Sequence, residues 1–136
     1  MSPLTRSRLG TATLALAGII GIAVGAAALF APDAFFASNG IQLGAGASLR
    51  SELRSAGGAN LGMGVLMLAG AFVRPLRLLS ALLVATFYLA YGTSRVFAWV
   101  VDGPPHEGLI AAAIIELAIG AAGVLLLARA RHARHP

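Results

Sequence analysis

Arg95 and Glu116 are the residues of this chain that an apolar setting should reject most strongly. Each lies inside an otherwise hydrophobic run, Leu78–Val101 and Leu109–Ala128. Arg95 stands seven residues before Asp102, and Glu116 seven residues after Leu109. At 1.5 Å rise per helical residue, both charges sit about 10 Å inside neighbouring helix ends. A central Arg or acid costs about 2.5–3.5 kcal/mol to insert into a bilayer, offset by the Leu, Ile, Val and Phe residues around it. An Arg95–Glu116 ion pair is the simplest way to place both. Tyr88, Tyr91, Arg95, Trp99 and Asp102 follow at three- and four-residue steps and so share one helix face. Thr93 and Ser94 add hydroxyls nearby. Glu52 and Arg54 enter the preceding apolar run near its start, and Asn60 lies about 9 Å deeper than Arg54. The candidate ligand-binding set is therefore Glu52, Arg54, Asn60, Tyr88, Tyr91, Arg95, Asp102 and Glu116. It would form a polar pocket opening toward the outer side, walled by glycine-rich helices.

Plainer roles compete for the same residues. Glu52 in a first helical turn is favoured by the macrodipole alone. Tyr88 and Tyr91 can be packing residues, Trp99 an interfacial anchor, and Arg95–Glu116 a pair that fixes helix register.

Other chemistries are excluded or poorly supported. Without Cys there is no disulfide framework, thiol nucleophile, haem attachment or Cys-based zinc site. His106, His132 and His135 do not cluster at metal-ligand spacing; His106, Glu107 and Asp102 would make at best a weak site. No nucleophile motif or phosphate loop is present, so no catalytic residue, metal or cofactor is assigned. The Arg- and His-rich C-terminal tail reads as a topology signal attracted to lipid headgroups, at about 1 kcal/mol per Arg, and not as a nucleic-acid site.

The elements that must position these residues follow from composition. Of 136 residues, 58% are hydrophobic and 11% charged, against about 45–50% and about 25% in a soluble domain. Mean hydropathy is +0.85, which also excludes disorder. The length suits one compact domain. Four stretches reach the roughly 20 residues that a bilayer core of about 30 Å requires: 11–30, 55–73, 78–101 and 109–128. All read as helices, because an open sheet cannot satisfy its backbone in lipid. The expected fold class is all-α, an integral membrane four-helix bundle.

Arg6, Arg8, Arg74, Arg77, Arg129, Arg131 and Arg134 all fall on one side of these crossings, while Asp33, Arg50, Glu52, Asp102 and Glu107 fall on the other. The positive-inside rule then puts both termini in the cytoplasm, in the inner (plasma) membrane. The first apolar run is longer than the 7–15 residues of a signal h-region and is read as a retained span.

The outer loop, 31–54, is the longest segment outside the spans. Pro32-Asp33-Ala34-Phe35-Phe36 starts a short interfacial helix that Asn39-Gly40 ends, and Ser48 is the expected N-cap of the helix leading into span two. A connector on the outer leaflet is the simpler reading of this loop, a substrate lid the sharper one. Close helix approach is expected through Ala17, Gly21 and Gly25 on span one. On span two, Gly58 and Gly62 form one seam and Ala56, Asn60 and Gly64 another; span four offers Ala112, Glu116 and Gly120.

SELRSAGGANLGMG at 51–64, YGTSRVFAWVVDGPP at 91–105 and IIELAIG at 114–120, after Phe30-Ala31-Pro32, together resemble a bacterial membrane family described as domain of unknown function 4345. The resemblance covers about residues 20–125. It implies a four-helix membrane protein without an established activity, and it points to Glu52, Arg54, Gly57, Gly58, Arg95, Asp102, Gly103 and Glu116. Ala56 departs from the aromatic residue that is common there. DoxX-like proteins share the architecture more distantly.

Three functions compete. The first is a protein that holds a small amphipathic or lipid-like ligand near the outer leaflet. The second is a proton- or ion-coupled transporter acting as a homo-oligomer, with Glu116 exchanging between Arg95 and a proton. The third is a membrane enzyme using Glu52 or Glu116 on a lipidic substrate. The expected partners are the lipid bilayer, a small lipophilic ligand and further copies of the chain, without nucleic acid.

Overall fold

A computed structural model describes residues 7–132; Arg6 and Arg134, used above for orientation, and His135, weighed above as a metal ligand, lie outside the described residues. Helix α1 runs Arg8–Phe30. The Gly10 N–H donates to Ser7 Oγ at 3.0 Å, which caps its first turn. Ala31 then breaks the helical geometry, and α2, Pro32–Ala37, begins with Pro in its first turn. Gly40, with φ +75°, reverses the chain in the left-handed region that side chains disfavour.

Helix α3 spans Ala47–Phe72 with Gly46 as its N-cap, so Ser48 is not the cap that the sequence suggested. Gly46 supplies the extended backbone, and its carbonyl accepts from the Arg50 N–H at 3.3 Å. The helix expected to follow Ser48 thus starts at Ala47, and residues 47–54, outside the expected span, form the first two turns of α3. A single 3-10 turn, Arg74–Leu76, leads into α4, Arg77–Asp102, and α5 is Glu107–His132. All the described regular structure is helical, and α1, α3, α4 and α5 are each long and apolar enough to cross a membrane.

These four form two tight antiparallel pairs. In the first, α1 and α3 approach backbone to backbone: Gly18 faces Leu68, Gly25 faces Leu61, and Gly64 packs on Gly21 and Ile22. In the second, Gly92 of α4 lies against Leu117 of α5, Leu89 against Gly120, and Ala85 against Gly123. The α3 seam thus uses Gly57 and Gly64. Gly58 and Gly62 have nothing within 4 Å of an added methyl, so the seam expected on their face does not form within the chain.

The pairs meet through α3 and α4, where Ser80 Oγ donates to the Leu66 carbonyl at 2.7 Å. Leu14, Ala17, Met67, Ala71, Ala81, Val84, Tyr88 and Ile119 build one core from all four helices. The Tyr88 hydroxyl completes it by donating to the Ala17 carbonyl at 2.5 Å. Arg77 joins the same end, donating from Nη2 to Thr11 Oγ1 at 2.8 Å. Beyond Tyr88, towards the end that carries Asp33 and Asp102, α1 has little contact with α4 or α5, and space opens between the pairs.

Candidate functional site

That space is a cavity of about 130 Å³. Tyr88, only 4% exposed, stands where it meets the core. Ile20, Gly21, Val24 and Ala28 of α1 line one wall, and Leu53, Ala56, Gly57 and Asn60 of α3 another. Phe87, Tyr91 and Arg95 of α4 and Glu116 of α5 complete the sides.

Arg95 and Glu116 form the expected ion pair, Nε to Oε2 at 2.8 Å, with side chains 29% and 14% exposed. The two antiparallel helices bring them to one level because Gly92 and Gly120 let α4 and α5 approach closely on either side of the pair. The contact uses one nitrogen and one oxygen. Among the described residues, the Arg95 terminal nitrogens and Glu116 Oε1 make no other hydrogen bond. The Arg95 guanidinium carbon lies 5.8 Å from the Tyr91 ring centroid, a cation–π arrangement. Phe87 packs between the two tyrosines, its centroid 5.0 Å from Tyr91 and 5.9 Å from Tyr88.

Asn60 is the most unusual lining residue. It is 9% exposed and its side chain makes no hydrogen bond with any described residue, yet neither of its amide atoms is fully buried. Buried amides almost always have a partner.

Five of the eight expected residues, Asn60, Tyr88, Tyr91, Arg95 and Glu116, therefore meet around one cavity, and three stand apart from it. Arg54 donates through Nη1 to the Leu29 carbonyl in the last turn of α1, satisfying an orphan acceptor at the negative end of that helix. Glu52 is exposed, because its neighbour Leu53 occupies the cavity-facing position of α3. Asp102 shares the Arg95 face but lies about 10 Å further along α4, at its exposed end.

Phe35 and Phe36 also line the cavity, which the sequence did not reveal. Their short helix, read from the sequence as part of a connector on the outer leaflet or, more sharply, of a substrate lid, is folded onto the cavity's Asp33 end. The hint was the pairing of a helix start at Pro32 with a reversal at Gly40, which keeps both rings close to the end of α1. Two bonds fasten this roof: Asp33 Oδ1 lies 2.7 Å from Arg50 Nη2, and Arg50 Nε donates to Oδ2 at 3.3 Å. Arg50 Nη1 also donates to the Gly44 carbonyl at 2.7 Å.

The Arg50 guanidinium holds the Asp33 carboxyl below the ordinary carboxylate range. The tie is therefore complete above about pH 4 and is lost as pH falls through the depressed value. Amide exchange over residues 33–46, after correction for intrinsic rates, should be slower at pH 7 than at pH 3. In Asp33→Asn this difference should disappear. An unchanged pH response in that variant would show that another group fastens the roof.

Among the described residues, no three His, Asp or Glu side chains come together as metal ligands do. No curated protein and no solved structure matches the chain. A family model does, over residues 10–127, which takes in all four long helices and every cavity-lining residue: the chain belongs to the family described as Domain of unknown function (DUF4345).

Proposed function

We propose that this is an integral membrane protein of the inner (plasma) membrane, with both termini cytoplasmic, that holds a small amphipathic ligand in the cavity. Arg8, Arg74, Arg77, Arg129 and Arg131 gather at one end of the helices, while Asp33, Asp102 and Glu107 lie at the other. Large apolar side chains such as Leu16, Ile19, Phe72, Val100 and Leu125 are more than half exposed, as lipid-facing residues are. The observation that carries the ligand reading is the cavity itself: apolar walls and a small cluster of convergent polar groups, the usual make-up of a small-molecule site.

The test is extraction in native-lipid nanodiscs followed by mass spectrometry of what the protein retains. The wild type should carry a small molecule that is depleted in Ala56→Trp, which fills the cavity from its exposed edge. Identical profiles from both proteins would remove the ligand reading. Because the chain has no Cys, a single Ser38→Cys substitution reports orientation, and it should be labelled by an impermeant reagent from outside the cell.

A further inference from the structure

Building on the ligand reading, we infer that the polar head of the occupant is uncharged, is about the size of one benzene ring, and both donates and accepts a hydrogen bond. Three independent observations converge on this. The first is charge balance. Among the described residues, the charged groups lining the cavity are Arg95 and Glu116 alone, and they are paired at 2.8 Å. Helix α1 has no charged residue from Thr11 to Phe30. On α2 and α3, Asp33 is paired with Arg50, Arg54 is turned to the Leu29 carbonyl and Glu52 is exposed, and none of the four lines the cavity. A charged head would bring an uncompensated charge into a poorly polarisable site, or would have to pull the existing pair apart. An uncharged head does neither.

The second is Asn60. It sits in the middle of α3, on the face that elsewhere carries Gly57 and Gly64, and its side chain makes no hydrogen bond with a described residue. Packing alone would be served by an apolar side chain, which would not require a partner. Its amide offers one acceptor and two donors toward the cavity. A hydroxyl, or a carbonyl beside an N–H, satisfies both kinds of site at once. The free Arg95 nitrogens and Glu116 Oε1 extend the same mixed pattern.

The third is size. The cavity holds about 130 Å³, and an engineered protein cavity of about 150 Å³ takes up benzene. The Phe35, Phe87 and Tyr91 rings supply the aromatic surface against which a flat head packs.

The experiment is ligand-observed NMR titration of the full chain in nanodiscs with phenol, toluene, benzoate and benzylammonium. Each signal is read as the difference from Ala56→Trp, which removes partitioning into lipid. Phenol should bind, and toluene, benzoate and benzylammonium should each bind about tenfold more weakly or worse. Asn60→Leu should weaken phenol about tenfold while leaving toluene within about twofold, a selectivity that a purely structural Asn60 would not produce. Asn60→Ala serves the same purpose if Leu does not fit. Benzoate or benzylammonium binding more tightly than phenol, or toluene binding as well as phenol, would overturn the uncharged hydrogen-bonding head and leave the ligand reading standing. Failure of every probe, while Ala56→Trp still strips a natural molecule, would overturn the proposed head size. Failure of every probe with no retained molecule would overturn both readings.

Discussion

Glu116→Ala should lower the stability of the folded chain by about 2–3 kcal/mol, between the cost of breaking an exposed pair and that of breaking a fully buried one, because the pair is part-buried. The variant leaves the Arg95 guanidinium beside an apolar cavity with no other acid among the lining residues. A guanidinium cannot shed its charge. The reverse substitution, Arg95→Ala, leaves the Glu116 carboxylate without its partner and should also cost stability. The double variant Arg95→Met/Glu116→Leu should recover most of the loss, because apolar replacement of a whole pair is often neutral or stabilising. Reversible unfolding in mixed micelles with increasing dodecyl sulfate measures all three. Losses in the single variants with no recovery in the double would show that the pair matters through its shape and not its charge.

Gly64→Val should be comparably damaging for a different reason. A methyl at Gly64 would lie 2.5 Å from the Ile22 amide nitrogen and 2.8 Å from the Gly21 carbonyl carbon. Both are backbone atoms in α1, so no side-chain rearrangement can relieve the clash and the helices must separate. Overpacking costs about 1–3 kcal/mol where side chains can adjust, and more where they cannot. We expect about 3 kcal/mol or more in the same unfolding assay. Gly58→Ala is the contrasting case. With nothing within 4 Å, it should leave stability unchanged or raise it by up to about 1 kcal/mol through better helix propensity. A loss at Gly58 similar to that at Gly64 would mean that the Gly58 face is also covered, by lipid or by another copy.

These two cases also show what the sequence could reveal. The depth of Arg95 and Glu116 was legible because helical rise converts residue counts into distance, and two deep opposite charges on successive helices have few other partners. The seam on α3 was legible only in part, at Gly64 and not at Gly57. Gly57, Gly58, Gly62 and Gly64 all satisfy a small-residue pattern, and only the position of α1 selects Gly57 and Gly64. Arg54 looked like a pocket residue because its depth fitted, but side-chain reach let it cap the neighbouring helix instead. A lid was one of the two readings of the outer loop, but that Phe35 and Phe36 fold onto the cavity was not legible for a related reason: a six-residue helix marks its own ends, not the direction in which it folds back. Asn60 was picked out for its polarity alone, and its missing partner needed coordinates.

The roof is also braced from the far side. Any side chain at Gly40 would meet the His106 ring at 3.0 Å, and Asn39 Oδ1 lies close to Gly108, so the turn after α2 leans on the loop between α4 and α5. The lining residues that reach the surface instead are Ala56 and Tyr91, on the flank between α3 and α4. In the proposed bilayer setting that flank faces hydrocarbon. Occupancy would then follow how much of a compound dissolves in the lipid, and its aqueous concentration would matter only through its partition coefficient.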